Sequence, residues 1–394
     1  MRAKLGDVTE NLDYKRVPIA QKDRADLEKL YPYYGAQGIV DYVDDYIFDG
    51  EYLLVAEDGE NLRSRKNSIV TFAKGKFWVN NHAHILGEKA GTNLTYIYYL
   101  LKGLDLSGYI TGSAQPKLTQ ENLSRLEIDI PDVQCQKDVA TLLSTIDAKI
   151  DNNNAIAAEL EGMAKDLYDY WFVQFDFPDE NGKPYKSSGG KMVWNDELKR
   201  EIPEGWEVDR LGKVCDTLLG GTPDTENASY WNGDIPWLNS GEVATSPVLN
   251  AEKTITKEGL KNSATSFASA GAVVMSITRY IRPSILGIDA CFNQSVIAVI
   301  PNEQIHSTYL YLFMLSQVER YRRLRTGAQQ PHINKETVDS TLITLPVDSV
   351  LNQFYDRVEP LFERQMIAMK EAKELESLRD FLLPMLMNGQ VRAG

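Results

Sequence analysis

The chain repeats itself. Gly112-Ser113-Ala114-Gln115-Pro116 returns as Gly327-Ala328-Gln329-Gln330-Pro331, an offset of 215 residues. The same offset, without a gap, pairs Glu121 with Glu336, Pro131 with Pro346, and Glu159-Leu160-Glu161 with Glu374-Leu375-Glu376. Few residues are identical, but the features keep their order: a Gly-Gln-Pro turn, a short β-like segment, a proline, then a long helix. Upstream the echo is weaker. Phe77-Trp78-Val79-Asn80-Asn81-His82 parallels Ala290-Cys291-Phe292-Asn293-Gln294-Ser295, each read as a strand with Asn at its head, and Lys4-Leu5-Gly6-Asp7-Val8 parallels Arg210-Leu211-Gly212-Lys213-Val214. A repeat of this period makes each half one structural unit, a head followed by a helix.

The heads are rich in Gly, Tyr and Trp and in short alternating apolar segments such as Glu51–Ala56 and Gly271–Ile277. These are strand signals bounded by turns, and they predict mixed α/β heads with irregular, loop-bearing sheets. The helices are plainer. Val139, Leu143, Ile146, Ile150, Asn153, Ala157, Leu160, Ala164, Leu167 and Trp171 recur at the alternating four-and-three spacing of a coiled-coil seam. Shifted by the repeat, the second seam is Phe354, Val358, Leu361, Gln365, Ala368, Ala372, Leu375, Arg379 and Leu382. Each helix either packs on its own head or pairs with the other. A seam sustained over several turns favours pairing, antiparallel, with the polar Asn153 and Gln365 setting register. A helix over 135–172 would be about 57 Å long, enough to space two heads along a duplex whose turns repeat every ~34–36 Å. Pro360 is expected to bend or restart the second helix.

The fold class is therefore mixed α/β (α+β) in tandem repeat, with two recognition heads separated by two long helices in an antiparallel coiled coil. The divisions are a first head over 1–134, a central helix over 135–174, a turn-rich linker over 175–205, a second head over 206–347 and a C-terminal helix over 348–394. Trp171, Phe172, Phe175 and Phe177 are read as anchors for the end of the first helix.

Composition narrows the function. At 43% hydrophobic and 25% charged the chain is an ordinary globular one, and no apolar run approaches membrane-spanning length. The start lacks the apolar core of a signal peptide, and three scattered cysteines, Cys135, Cys215 and Cys291, argue for a reducing, cytoplasmic setting. A net charge of −14 opposes simple wrapping of DNA. Locally the sign reverses. Residues 61–89 carry six bases (Arg63, Arg65, Lys66, Lys74, Lys76, Lys89) against Glu88, and residues 276–335 carry seven (Arg279, Arg282, Arg320, Arg322, Arg323, Arg325, Lys335) against three acids. The arginines at 320, 322 and 323 also fit a structural helix.

Catalytic signatures are missing. The sequence contains no phosphate-binding loop, no dinucleotide fingerprint, no Asn/Asp-Pro-Pro-aromatic tetrapeptide for a flipped base and no nucleophile elbow. His82 and His84 alternate as two metal ligands would, but without cysteines or paired carboxylates nearby they are read as polar strand residues facing a groove or solvent.

Longer motifs carry a resemblance. Gly220-Gly221-Thr222-Pro223 followed by Tyr230–Gly241 is similar to the start of a target recognition domain in type I restriction–modification specificity subunits. Tyr33–Tyr42, Tyr46–Gly50 and Ala56–Gly59 resemble another form of that start. Gly112–Pro116 and Gly327–Pro331 resemble the closing motif, and Phe175–Tyr185 with Pro203–Trp206 resembles the central linker. The likeness runs over nearly the whole chain in the order head, helix, head, helix. The first head has no counterpart of Gly220–Pro223, which implies different half-sites for the two heads. In the second, Ser276–Pro283 stands where a Gly-rich turn is common.

The resemblance implies a non-catalytic, sequence-specific DNA-binding subunit in host defence against foreign DNA. Each head would read half of a bipartite double-stranded target, and the helices would set the spacer and dock two modification (methyltransferase) subunits. S-adenosylmethionine would reside in the modification subunit, ATP and magnesium in a restriction/motor subunit, and no cofactor or metal in this chain. Arg, Lys, Asn and Gln read base edges or hold phosphates. The candidates are Arg63, Arg65, Lys66, Lys74, Lys76, Gln115 and Lys117 in the first head, and Arg279, Tyr280, Arg282, Arg325, Gln329, Gln330 and His332 in the second. A fused methyltransferase or nuclease, and a coiled-coil scaffold without nucleic acid, are the competing readings.

Overall fold

The computed structural model describes residues 1–394 except 113, 114, 279, 327–331 and 394. Arg279, Gln329 and Gln330 therefore lie outside the described residues. Four helices of ten residues or more organise the described chain: α1 (Leu94–Gly103), α2 (Val133–Tyr168), α3 (Ser307–Ser316) and α4 (Asp348–Met387). The chain forms two compact units, Met1–Asp151 with Lys373–Gly394, and Asn152–Ala372. No helix among the described residues is long and apolar enough to cross a membrane.

In the first unit, β1 (Arg2–Lys4) pairs antiparallel with β8 (Glu127–Asp129). Between them, β2 (Thr9–Asn11), β3 (Tyr31–Gly35), β4 (Gly38–Val43), β5 (Phe48–Ala56), β6 (Val70–Val79) and β7 (Ala83–Glu88) form one sheet in the order β2-β7-β5-β6-β3-β4. All its pairings are antiparallel except β3 with β6. β5 is central: its second half is buried without interruption from Leu53 to Ala56, because β6 and β7 flank it. The apolar face of α1 closes this core through Tyr96, Ile97, Leu100 and Leu101.

The second unit repeats the plan. β9 (Met192–Asn195) and β10 (Arg200–Pro203) form a hairpin within the segment that reads from sequence as a linker. Then β11 (Glu207–Arg210) pairs with β20 (Leu342–Leu345) as β1 pairs with β8. β12 (Thr217–Leu219), β13 (Trp231–Leu238), β14 (Lys253–Ile255), β15 (Ser266–Ala268), β16 (Val273–Ser276), β17 (Pro283–Ile285), β18 (Ala290–Phe292) and β19 (Val296–Val299) form two sheets, β12-β19-β16-β17 and β14-β13-β18-β15. Joining β15 to β16 and β17 to β18 end to end reproduces the order of the first sheet, including the single parallel pairing, β13 with β18. One long hairpin in the first head is thus broken midway in the second. The Asn turns match as well: Asn80 N–H donates to Tyr34 and Asn293 N–H to Leu238, and each Asn side chain accepts from the N–H two residues on.

The long helices pair antiparallel. In the first unit, Val139, Ala140 and Leu143 of α2 share a core with Leu383 and Leu386 of α4. In the second, Ala164 and Tyr168 share one with Phe354 and Val358. Val139, Leu143, Ile146, Ile150, Asn153, Ala157, Leu160, Ala164, Phe354, Val358, Gln365, Ala368 and Ala372 are buried. Leu167, Leu361, Leu375, Arg379 and Leu382 are half-buried, with burial passing to Leu383 and Leu386 at the end of α4. The restart that Pro360 could have caused does not occur: α4 runs through it. Pro360 is exposed, and the packing of the opposite face holds the helix across one missing N–H.

After Tyr168 the chain makes one π-type turn, Asp169–Val173, closed by Gln174 N–H to the Asp169 carbonyl at 2.9 Å. It turns Trp171 and Phe172 inward. The Phe172 ring lies 4.7 Å from Phe354 and 4.9 Å from Tyr309, and Phe177 stacks on Trp206 at 5.3 Å. These aromatics do anchor the helix end.

Candidate nucleic-acid interface

In each head the residues that flank the Gly-Gln-Pro motif pair with each other. In the first, Thr111 and Lys117 exchange both backbone hydrogen bonds at 2.8 Å. In the second, Thr326 and His332 do the same at 2.9 Å. Gly112 has φ +84°, and a Cβ there would stand 2.2 Å from the Gln115 carbonyl oxygen, so only glycine closes the first loop. Gln115 and Lys117 are exposed.

The loop abuts the segment that leaves the central strand. Gly59 N–H donates to the Pro116 carbonyl at 3.2 Å, and Leu118 N–H to that of Glu57 at 2.8 Å. From the short helix Asn61–Ser64 the Arg63 guanidinium donates to the Gly112 carbonyl. Arg63, Gln115 and Lys117 thus come together. In the second head, Ile333 N–H donates to the Ile277 carbonyl at 2.9 Å, placing His332 and Ile333 beside the chain that leaves β16 toward Tyr280 and Arg282. Tyr280 and His332 are exposed and Arg325 half-buried.

The remaining candidates also have partners or places of their own in the protein. Arg65 closes its short helix in a left-handed conformation (φ +50°) and donates to the Leu104 carbonyl at 2.8 Å. Desolvation lowers its pKa from the ordinary arginine value. Lys66 is exposed beside it, at a surface hollow also lined by Lys102 and Asp105. Lys74 and Lys76 stand elsewhere on the sheet. Lys74 pairs with Glu51 at 3.1 Å, and Lys76 lies 4.5 Å over the Tyr46 ring, whose hydroxyl raises the lysine's pKa by hydrogen bonding. Arg282 donates to Glu161 of α2 at 3.2 Å, where the Tyr311 hydroxyl also donates at 2.7 Å. Of the three arginines set aside as helical, Arg320, Arg322 and Arg323 all lie on Val318–Arg323, and Arg320 donates to the Thr341 hydroxyl.

The histidine pair corrects an expectation. His82 is exposed and pairs with Asp58 at 2.7 Å. His84 is not a groove or solvent residue: it is 1% exposed, with Nδ1 2.6 Å from Asp13 and Nε2 2.7 Å from the Leu118 carbonyl. Its strand pairs with the buried half of β5, so its face of the sheet points into the core. No group of three or more His, Cys, Asp or Glu suited to a metal occurs among the described residues.

The Gly220–Pro223 motif is structural. A Cβ on Gly220 would meet the Phe292 carbonyl oxygen at 2.2 Å, and one on Gly221 the Ala264 carbonyl carbon at 2.5 Å. Backbone meets backbone there, and Trp237 Nε1 seals the turn by donating to the Gly221 carbonyl at 3.1 Å. Sequence reasoning missed the exposed pair beside it, Thr222 donating to Gln294 at 2.6 Å. The matched Asn80-Asn81 and Asn293-Gln294 turns were the signal for it.

Comparison with known proteins agrees with this architecture. The family model described as type I restriction modification DNA specificity domain matches twice, over residues 1–162 and 203–377. A type I restriction enzyme specificity subunit, MjaIX, of Methanocaldococcus jannaschii is 26% identical over 82% of this chain and 75% of its own length. A putative type I restriction enzyme specificity subunit, S.HindORF215P, of Haemophilus influenzae is 25% identical over 96% of this chain and 94% of its own. The crystal structure of the S subunit of a type I restriction–modification system from M. genitalium shares the fold at a TM-score of 0.63, with 15% identity, covering 98% of this chain and 96% of that one. With both heads matched in tandem, the chain belongs to the family of type I restriction–modification DNA specificity subunits.

Proposed function

We propose that this chain is the non-catalytic subunit that reads a bipartite double-stranded DNA target, one half-site per head, for partner enzymes that modify or cut it. The observation that carries the reading is a matched pair of backbone closures, one in each head. In two heads of one topology the residues flanking the Gly-Gln-Pro motif pair with each other beside the segment leaving the central strand, with different side chains around them. One scaffold with two sets of contacts suits a target with two unlike halves. Base edges are read by such side chains, while lysines and arginines on phosphates set the register.

The paired helices are the part that sets the spacer and docks two methyltransferase subunits. S-adenosylmethionine then belongs to those subunits, ATP and magnesium to a restriction/motor subunit, and the complex works in the cytoplasm. The acidic total fits a division of labour in which other subunits supply phosphate contacts.

The test is methylation mapping. The chain is co-expressed with its modification subunit in a methylation-free host, and N6-methyladenine is located by single-molecule sequencing. A bipartite motif whose halves change independently when heads are exchanged is expected. Methylation by the chain alone, or a continuous motif indifferent to head exchange, would overturn the reading.

A further inference from the structure

The two heads differ in chemistry at three equivalent positions. Glu57 is the residue that follows β5, and Ile277 is the one that follows β16. His84 is the second residue of β7, and Ile297 of β19. Leu118 follows the bridge residue Lys117, and Ile333 follows His332. The strand registers agree, since His84 pairs with Val55 and Ile297 with Met275, each partner two residues before the position that follows its strand. In the second head all three positions are buried isoleucine or its equal: Ile277, Ile297 and Ile333. In the first, two of the three are ionisable.

Around Glu57 and His84 the first head assembles a closed set of charges. Arg16 Nη1 donates to Glu57 Oε2 at 2.6 Å, and Lys117 Nζ lies 3.1 Å from Oε1, so the carboxylate uses both oxygens to join the loop to the core. Arg16 also donates to the Asp13 and Ala83 carbonyls and lies 3.4 Å from the Asp13 carboxylate. Asp13 in turn accepts from Ile85 N–H at 2.9 Å and faces His84. Each ring nitrogen of His84 faces an oxygen, the Asp13 carboxylate on one side and the Leu118 carbonyl at the foot of the loop on the other. Buried charges persist only when paired and hydrogen-bonded, as these are.

We propose that Glu57, held by Arg16 on the Asp13–His84 pair, is a positioning residue that sets Lys117 and the Thr111–Lys117 closure of the first head, whereas isoleucines fill the equivalent positions of the second. The proposal rests on the reading that each head recognises half of the target. Its consequence is that the two halves of one recognition event depend on different physics. Removing a charge disturbs the first half-site and leaves the second untouched.

Glu57→Gln keeps an acceptor for Arg16 and loses the charge that holds Lys117. In the full chain, hydrogen exchange of the 111–118 amides should quicken by ~10-fold or more, with exchange at 332–333 unchanged. In the complex, discrimination at the first half-site should fall by about 10-fold, the scale of one lost base contact, with the second half-site kept. Glu57→Asp keeps the charge but draws it back, and should recover part of both effects. Should Glu57→Gln lose protection across β5 and β7, Glu57→Asp alone is read by the same criteria. Unchanged exchange at 111–118, or equal quickening in both heads, would overturn the proposal. If the wild-type complex shows no bipartite motif, the functional reading fails while the exchange result still decides the positioning role.

Discussion

Arg379 of α4 donates to Asp147 of α2 at 2.7 Å, inside the apolar seam of the first unit. The Tyr99 hydroxyl donates to the other oxygen of Asp147 at 2.6 Å, so one carboxylate ties both long helices to the sheet-covering helix of the first head. Desolvation opposes the charge on Arg379, but the hydrogen bonds to Asp147 and Asp380 outweigh it and raise its pKa.

Breaking this pair should cost more than its net worth. Arg379→Ala leaves Asp147 half-buried with Tyr99 alone, and a loss of about 1–3 kcal/mol is expected, measured by chemical denaturation. A variant as stable as the wild type would show that water replaces the guanidinium without penalty.

The seam of the second unit has its own polar residue. Gln365 is 4% exposed and donates to the Ala157 carbonyl at 3.3 Å. Gln365→Leu should raise stability by roughly 1 kcal/mol, because a long, single hydrogen bond repays little of the desolvation of an amide. Thermal melting checks it, and a fall would mean that the amide is better satisfied than this geometry indicates.

Acid should open the first head before the second. Burial alone pushes the Asp13 carboxyl up, but the hydrogen bond and charge of His84, the Ile85 N–H and Arg16 together hold it below the ordinary aspartate value. Burial likewise raises Glu57, and hydrogen bonds from Arg16 and Lys117 bring it below the ordinary glutamate value. A carboxylate depressed in the folded state stabilises fully above its unfolded pKa, and that stability drains as pH falls through the folded one. Exchange protection of β5 and β7 should therefore be lost below the ordinary carboxylate range while β16 and β19 remain protected. Simultaneous loss would assign acid unfolding to other groups.

Gly112→Ala should impair the first half-site alone. The added methyl meets the Gln115 carbonyl in a backbone region that alanine disfavours by about 1 kcal/mol or more. Methylation mapping should show a relaxed first half, with melting little changed because the loop is exposed. A motif as strict as the wild type's would mean that the loop does not touch DNA.

Arg282 has a partner that alters its expected role. If it acts by tying the 277–282 segment to α2, Glu161→Gln should weaken the second half-site about as much as Arg282→Ala. If Arg282 itself touches DNA, only its own substitution will matter. Binding to oligonucleotides varied in each half separates the two.

The order head, helix, head, helix was legible in the amino-acid sequence because each signal is local. A repeat of 215 residues, glycine–proline turns and a sustained seam spacing depend on neighbours along the chain, and Val139, Leu143, Val358 and Ala368 are buried as their spacing requires. The turn at Gly112 was visible for the same reason, since a turn needing glycine at positive φ leaves its mark in a few residues.

What the tertiary structure decided is which charges are engaged, and with what. Arg63, Arg65 and Arg282 read alike in sequence, yet they donate to Gly112, Leu104 and Glu161, acceptors 49, 39 and 121 residues away. His84 looked like a surface strand residue until the sheet order placed its face in the core, beside a carboxylate 71 residues distant. The division of one hairpin into two sheets in the second head is of the same kind. Sequence periodicity reports which face a residue takes, but the partner on that face is set by long-range pairing, and only the folded chain brings the two together.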